Sequence, residues 1–209
     1  MARNTRERIM AIALALFNAE GEPNVTTNRI AEELEISPGN LHYHFRTKSD
    51  LIEALFSSFE QRMLELLATP DERQPDIEDI WLFLHLCFET IGDFRFIYRD
   101  LTDLCARHRG LHQRFRGILN LSMNTASGLI TGLAEAEQLD ANDLEVSALV
   151  RNIVLISTCW LAFDQVIERD GEGRPDRAVW QVMSLLSPYL SGDARDQLTA
   201  LAAQYQSGM

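Results

Sequence analysis

The stretch "TTNRIAEELEISPGNLHYHFRTKSDLIEAL", Thr26 to Leu55, holds three helix starts in close succession. Thr26 reads as an N-cap, and Val25 before it can staple onto Ile30. Ile30, Ala31 and Leu34 make one apolar face, and this short helix ends at "EIS". Ser37 is the next cap, Pro38 suits a first helical turn, and Ile36 can staple onto Leu41. Thr47 then caps a third helix, with Asp50 three residues on as the acid of a capping box. Leu51 opens its apolar stripe, which continues through Leu55, Phe59, Met63 and Leu66. Two short helices joined by a tight turn and flanked by longer ones make a helix-turn-helix unit. The second helix of such a unit can enter the major groove of DNA.

Outward from this stretch the chain keeps to helical patterning. Toward the N-terminus, Ile9, Ile12, Ala13, Leu16 and Phe17 recur at helical spacing, which predicts a helix over 5–19. Glu7 interrupts what would otherwise resemble an export signal. Gly21 and Pro23 stop the helix. Toward the C-terminus, a polar break over 69–76 precedes a helix over 77–92, an aromatic stretch "DFRFIYRDLTDL", and a helix over 111–137. Asp140 or Asn142 caps the next helix, "VSALVRNIVLISTCWLAFDQVIER", which is apolar on nearly all faces. Its length approaches that of a membrane span, but Arg151, Asn152 and Asp164 argue against one. Such a helix fits burial by its own subunit on one face and by a partner on the other. A loop over 170–175 leads to a helix striped by Val179, Val182, Met183, Leu185 and Leu186, and a last helix runs over 194–204. Two such apolar helices from each of two chains make a four-helix interface. The expected fold is all-α.

The chain is acidic, with 19 Lys+Arg against 31 Asp+Glu and a net charge of −12. That balance opposes general affinity for nucleic acid. The charge is uneven, however. Residues 1–48 carry six basic and six acidic groups, so the whole excess lies beyond them. Lys48, the sole lysine of the chain, closes the neutral part. Cys87, Cys105 and Cys159 show no disulfide spacing, which fits a reducing cytoplasm.

Thr26 to Leu55 resembles the DNA-binding signature of the TetR family of bacterial transcriptional regulators, with Phe45, Lys48 and Leu51 in register. The resemblance implies an N-terminal three-helix DNA-binding domain over 1–47 and a larger helical domain over 48–209 for ligand binding and dimerisation, with about nine or ten helices in total. It implies a homodimer, formed through the helices near 144–169 and 175–190. It also implies a sequence-specific regulator, a repressor released from a palindromic DNA operator by a small-molecule inducer. An activator or a ligand-insensitive DNA binder on the same fold is the alternative. The family often places tyrosine directly after the leucine of this motif; here His42 stands there and Tyr43 follows.

On the short helix, Leu41 and Phe45 point inward, which leaves Gly39 and Tyr43 outward with Asn40 and His42 at the flanks. Gly39 lets a backbone approach closely, Tyr43 can meet a phosphate or a thymine methyl, and Asn40 and His42 can bond bases or phosphate. Lys48 at a helix start suits a phosphate. Thr27, Ser37 and His44 complete the candidate DNA contacts, and Arg29 and Arg46 flank them. Trp81, His85, Phe88, Phe94, Phe96, Tyr98, Phe115, Met123 and Trp160 are candidates for an effector pocket. Cys105, His108 and His112 fall at spacings of three and four, which would place them on one face of an unbroken helix. Core packing and surface solvation are the ordinary roles of both sets, and no metal or cofactor is expected. No Ser-His-Asp grouping or glycine-rich phosphate loop is present, so the expected protein is not an enzyme.

Overall fold

The computed structural model describes residues 2–68, 75–167 and 175–206, with side chains over 5–68, 75–167 and 175–203. Most of the break expected over 69–76 and of the loop over 170–175 lies outside them. Eleven α-helices and no strand occur among the described residues. They are α1 (Ala2–Glu20), α2 (Thr27–Glu33), α3 (Pro38–His44), α4 (Lys48–Leu67), α5 (Ile77–Asp93), α6 (Arg95–Arg99), α7 (Leu101–Arg107), α8 (Arg109–Glu135), α9 (Asp143–Ile167), α10 (Pro175–Leu186) and α11 (Gly192–Gln206). The all-α expectation holds. The count exceeds the nine or ten expected because the aromatic stretch after α5 folds into the two short helices α6 and α7.

The helix starts are built as their sequences dictate. Thr26 Oγ1 accepts from the amide of Arg29 and Ser37 Oγ from that of Asn40, both at 3.2 Å. At α4 the box is reciprocal: the Thr47 amide donates to Asp50 Oδ2 at 2.9 Å, and the Asp50 amide to Thr47 Oγ1 at 3.1 Å. Asn142, and not Asp140, caps α9, with Glu145 closing the box on the Asn142 amide at 2.8 Å.

Two helix ends follow a pattern the sequence does not announce. Glu35 and Glu137 have φ of 54° and 56°, a left-handed conformation that usually selects glycine. After α2 the Ile36 amide reaches back to the Ala31 carbonyl at 3.0 Å. After α8 the Gln138 amide does the same to Leu133 at 2.9 Å. Each is a six-to-one closure that satisfies an orphan carbonyl. It stops α8 at Glu135, short of the expected Glu137.

The chain divides by packing into two compact units. Unit one holds Met1–Arg62 and Asp93–Phe115. Its core includes Ile9, Phe17, Ile30, Leu41, Phe45, Leu51, Phe56, Phe59 and Phe96, all buried. Short α6 is tied to the end of α1: Arg99 Nη2 donates to the Phe17 carbonyl at 2.7 Å, and the Phe96 amide to Asn18 Oδ1 at 3.0 Å. Unit two holds Met63–Gly92 and Arg116–Met209. Here α9 packs on α10 and α10 on α11. The segment after α8 pairs with the one after α10, the Asp140 amide donating to the Tyr189 carbonyl at 2.9 Å and Ser191 to Gln138 at 2.8 Å. Unit one thus keeps α4 as far as Arg62 and also takes α6, α7 and the start of α8.

Candidate nucleic-acid interface

Helix α3 has a buried side and an open side. Leu41 and Phe45 are buried, while Ser37, Gly39, Asn40, His42 and Tyr43 are exposed. Tyr43 is 81% exposed, the most of any Phe, Tyr or Trp among the described residues. Its ring meets the edge of His44, half-buried, with centroids 5.2 Å apart. His42 Nδ1 lies 3.2 Å from the Arg46 carbonyl. A carbonyl only accepts, so Nδ1 carries the proton and Nε2 is left for an outside partner. Ser37 is occupied as a cap, and Thr27 lies half-buried in the first turn of α2. Arg29 is engaged by Glu33 at 2.7 Å, while Arg46 is exposed.

Gly39 is informative by what does not surround it. A Cβ added there would meet only Ser37 Oγ, at 3.9 Å. Glycine inside a helix costs about 1 kcal/mol relative to alanine. Nothing among the described residues requires that loss.

Lys48, the phosphate candidate at the start of α4, is engaged within its own unit. Its side chain is 26% exposed, and Nζ sits 2.8 Å from Oε1 of Glu22. The same ammonium donates to the Glu22 carbonyl and lies 5.5 Å from the Phe17 ring centroid. Glu22, at 1% exposed, also takes Arg107 Nη2 on Oε2. Sequence reasoning missed Glu22 and Arg107. Glu22 sits in a single 3₁₀ turn, Glu22–Asn24, after Gly21 at φ 88°. No periodicity or motif marks it.

The pocket candidates separate. Phe94, Tyr98 and Phe115 surround Phe59 in unit one, and Phe96 packs on Phe17. In unit two, Trp81 lies against His85 on α5, with ring centroids 5.8 Å apart, and Phe88 is buried beyond them. Burial lowers the His85 pKa, against the opposing pull of Glu89 and Asp176. Met123 is half-buried on α8. A cavity of about 280 Å³ lies on α9 and α10, lined by Leu155, Ile156, Cys159, Trp160, Phe163 and Gln181. Of the nine candidates, Trp160 alone lines that cavity.

Cys105, His108 and His112 do not share a continuous helix. His108 is extended, at φ −123° and ψ 90°, and separates α7 from α8. No cluster of three metal-ligating residues occurs among the described residues. Burial raises the Cys87 thiol to about 12, so it is protonated and unreactive at neutral pH. Helix α9 is long and apolar enough to cross a membrane by length and composition alone. Its Arg151 and Asn152 are exposed and Asp164 is buried.

Known proteins share this architecture. A family model described as "Bacterial regulatory proteins, tetR family" matches residues 9–55, and one described as "Bacterial transcriptional repressor" matches 58–198. A TetR-family transcriptional regulator from Marinobacter aquaeolei VT8 is 34% identical over 96% of this chain and 98% of its own, with a TM-score of 0.87. A tetR-family regulatory protein from Rhodococcus, at 20% identity, shares the fold, with a TM-score of 0.64 over 87% of this chain and 96% of its own. The regulator TtgW of Pseudomonas putida is 39% identical over 34% of this chain. An HTH-type regulator of Staphylococcus aureus is 52% identical over 24% of it. The matched part spans 52% of the first of these two relatives and 27% of the second. With both parts of the chain matched and one solved relative aligned almost end to end, the chain belongs to the TetR family of bacterial transcriptional regulators.

Proposed function

We propose that the chain is a sequence-specific DNA-binding regulator, a repressor that works as a homodimer in the cytoplasm and leaves a palindromic operator when a small-molecule effector binds. The observation that carries this reading is the open side of α3. Gly39, Asn40, His42 and Tyr43 are presented there, while Leu41 and Phe45 anchor the helix from behind. Gly39 supports it, because an approaching DNA backbone supplies the reason for a glycine that the described residues lack. Thr27, Ser37, His44 and Lys48 border the same surface in sequence and complete the proposed contacts, within a reading head of residues 1–47 and the first residue of α4.

The dimer is proposed through α9 and α10. Leu144, Leu155, Phe163, Val166 and Ile167 of α9 are exposed, and so is Trp180 of α10. An apolar surface of that kind marks an interaction site. The effector is proposed as a mostly apolar molecule held by the larger domain. His85 stands beside Trp81 there, and burial lowers its pKa, which favours the neutral imidazole.

Selection of bound duplexes from a random DNA pool tests the reading. A palindromic consensus is expected, and an unenriched pool would overturn the specific-regulator function. Tyr43→Ala is expected to weaken the selected duplex about tenfold or more, as loss of a base contact does. An unrelated duplex should lose less. Equal losses on both would make Tyr43 a backbone contact only.

A further inference from the structure

Glu22 is a buried carboxylate with every polar atom engaged. Oε1 receives Lys48 at 2.8 Å, Oε2 receives Arg107, the carbonyl receives Lys48 again, and the amide donates to Asp100 Oδ2 at 3.2 Å. Arg107 is also shared with Asp103, at 2.7 Å. All these residues lie in unit one. A buried carboxylate stripped of its cations is strongly unfavourable. Arg107 would remain on Oε2, but release of Lys48 would leave Oε1 without its cation, which opposes a move of the lysine to DNA. An ammonium has three donors, and Glu22 occupies two.

Two consequences follow for a lysine that meets phosphate. Its position is set beforehand, so the remaining donor meets a phosphate in one register only. Its charge is also offset by the carboxylate, so it adds little attraction for DNA in general. We infer that Glu22 is a specificity-determining residue: it pins and part-neutralises the chain's sole lysine, and so suppresses binding to unrelated DNA. This rests on the proposed reading of Lys48 as a phosphate contact. It suits a head whose six basic groups are matched by six acidic ones in residues 1–48.

The test compares the duplex recovered by selection with an unrelated duplex of equal length, across a salt series. Glu22→Gln removes the negative charge and keeps the side-chain volume. It is expected to raise affinity for the unrelated duplex about fivefold to tenfold per subunit at 0.1 M salt, and to steepen the log–log salt slope by up to about 0.9 per subunit. The preference for the selected duplex then falls by a similar factor. Lys48→Ala added to Glu22→Gln should abolish the gain, which shows that it acts through the lysine. A merely structural role for Glu22 lowers the active fraction on both duplexes and leaves the slope alone.

Unchanged or weaker binding of the unrelated duplex by Glu22→Gln would overturn the inference. If Lys48→Ala alone leaves the selected duplex unaffected, the phosphate reading itself fails, and the two failures are told apart. A second measurement needs no variant. An amine-acetylating reagent on the native chain should modify Lys48 much more slowly than after unfolding, as read by peptide mass. Equal rates in the folded and unfolded chain would overturn the inference too.

Discussion

Phe59→Ala is expected to lower the unfolding free energy by about 3–5 kcal/mol, the usual loss for a phenylalanine removed from a core. Phe59 is fully buried, and four rings pack on it. Phe94 and Tyr98 lie 5.7 Å away between centroids, Phe56 5.8 Å, and Phe115 6.4 Å in a stacked arrangement. These neighbours come from α4, the segment before α6, α6 itself and the start of α8, so one vacancy loosens several elements of unit one. Rigid rings close such a vacancy poorly, which favours the upper part of the range. Phe59→Leu keeps most of the volume and should cost less. Urea unfolding at fixed protein concentration measures both, since the stability of the proposed dimer would depend on concentration. A loss below about 1 kcal/mol for Phe59→Ala would mean that this cluster is not the centre of its unit.

Phe163→Glu is expected to dissociate the proposed dimer and to weaken the selected palindromic duplex about 100-fold or more. Phe163 is 58% exposed on the single chain and stands one turn from Cys159 on the stripe that Leu155, Val166 and Ile167 continue. In a two-fold interface each copy presents the same patch, so one substitution places like charges from both chains against each other. Such juxtaposition costs several kcal/mol, and each 1.4 kcal/mol is a factor of ten. DNA affinity falls with it because the second half-site is no longer held at high effective concentration. The chain's own folding should barely change, since the residue is exposed before association. Light scattering after gel filtration measures the mass. A dimer that survives Phe163→Glu at micromolar concentration would move the interface elsewhere.

Features written within a few residues of one another were legible in the sequence. Thr26, Ser37 and the Thr47–Asp50 box each act across three positions, and each stands where its spacing placed it. The inward pair Leu41 and Phe45 followed from helical period, and with it the open side of α3. What escaped was set at a distance or without a marker. Lys48 meets Glu22 across 26 residues, and Arg107 meets Glu22 across 85. No local pattern encodes either. The helix ends at Glu35 and Glu137 adopt a glycine-like conformation without glycine, so helical patterning alone carries α8 two residues too far, to Glu137. Gly110 marks a break in this region, and the structure puts it two residues earlier, at His108. The pocket candidates share their apolar and aromatic chemistry with core residues, so sequence does not separate lining from core.

The helix caps also bear on how quickly the chain can fold. Each cap sets a helix boundary through bonds that span three residues, so no distant segment is needed to specify it. Chains dominated by such local contacts fold in roughly microseconds to milliseconds. The slow partner in unit one is then the return of α6 to the end of α1, where Phe96 bonds Asn18 across 78 residues. Entropy of loop closure opposes that step, and the arginine grips of Arg95 and Arg99 on the Asn18 carbonyl reward it only at the end. The contacts of α6 and α7 that lock the unit around Glu22 are therefore among the most non-local it makes.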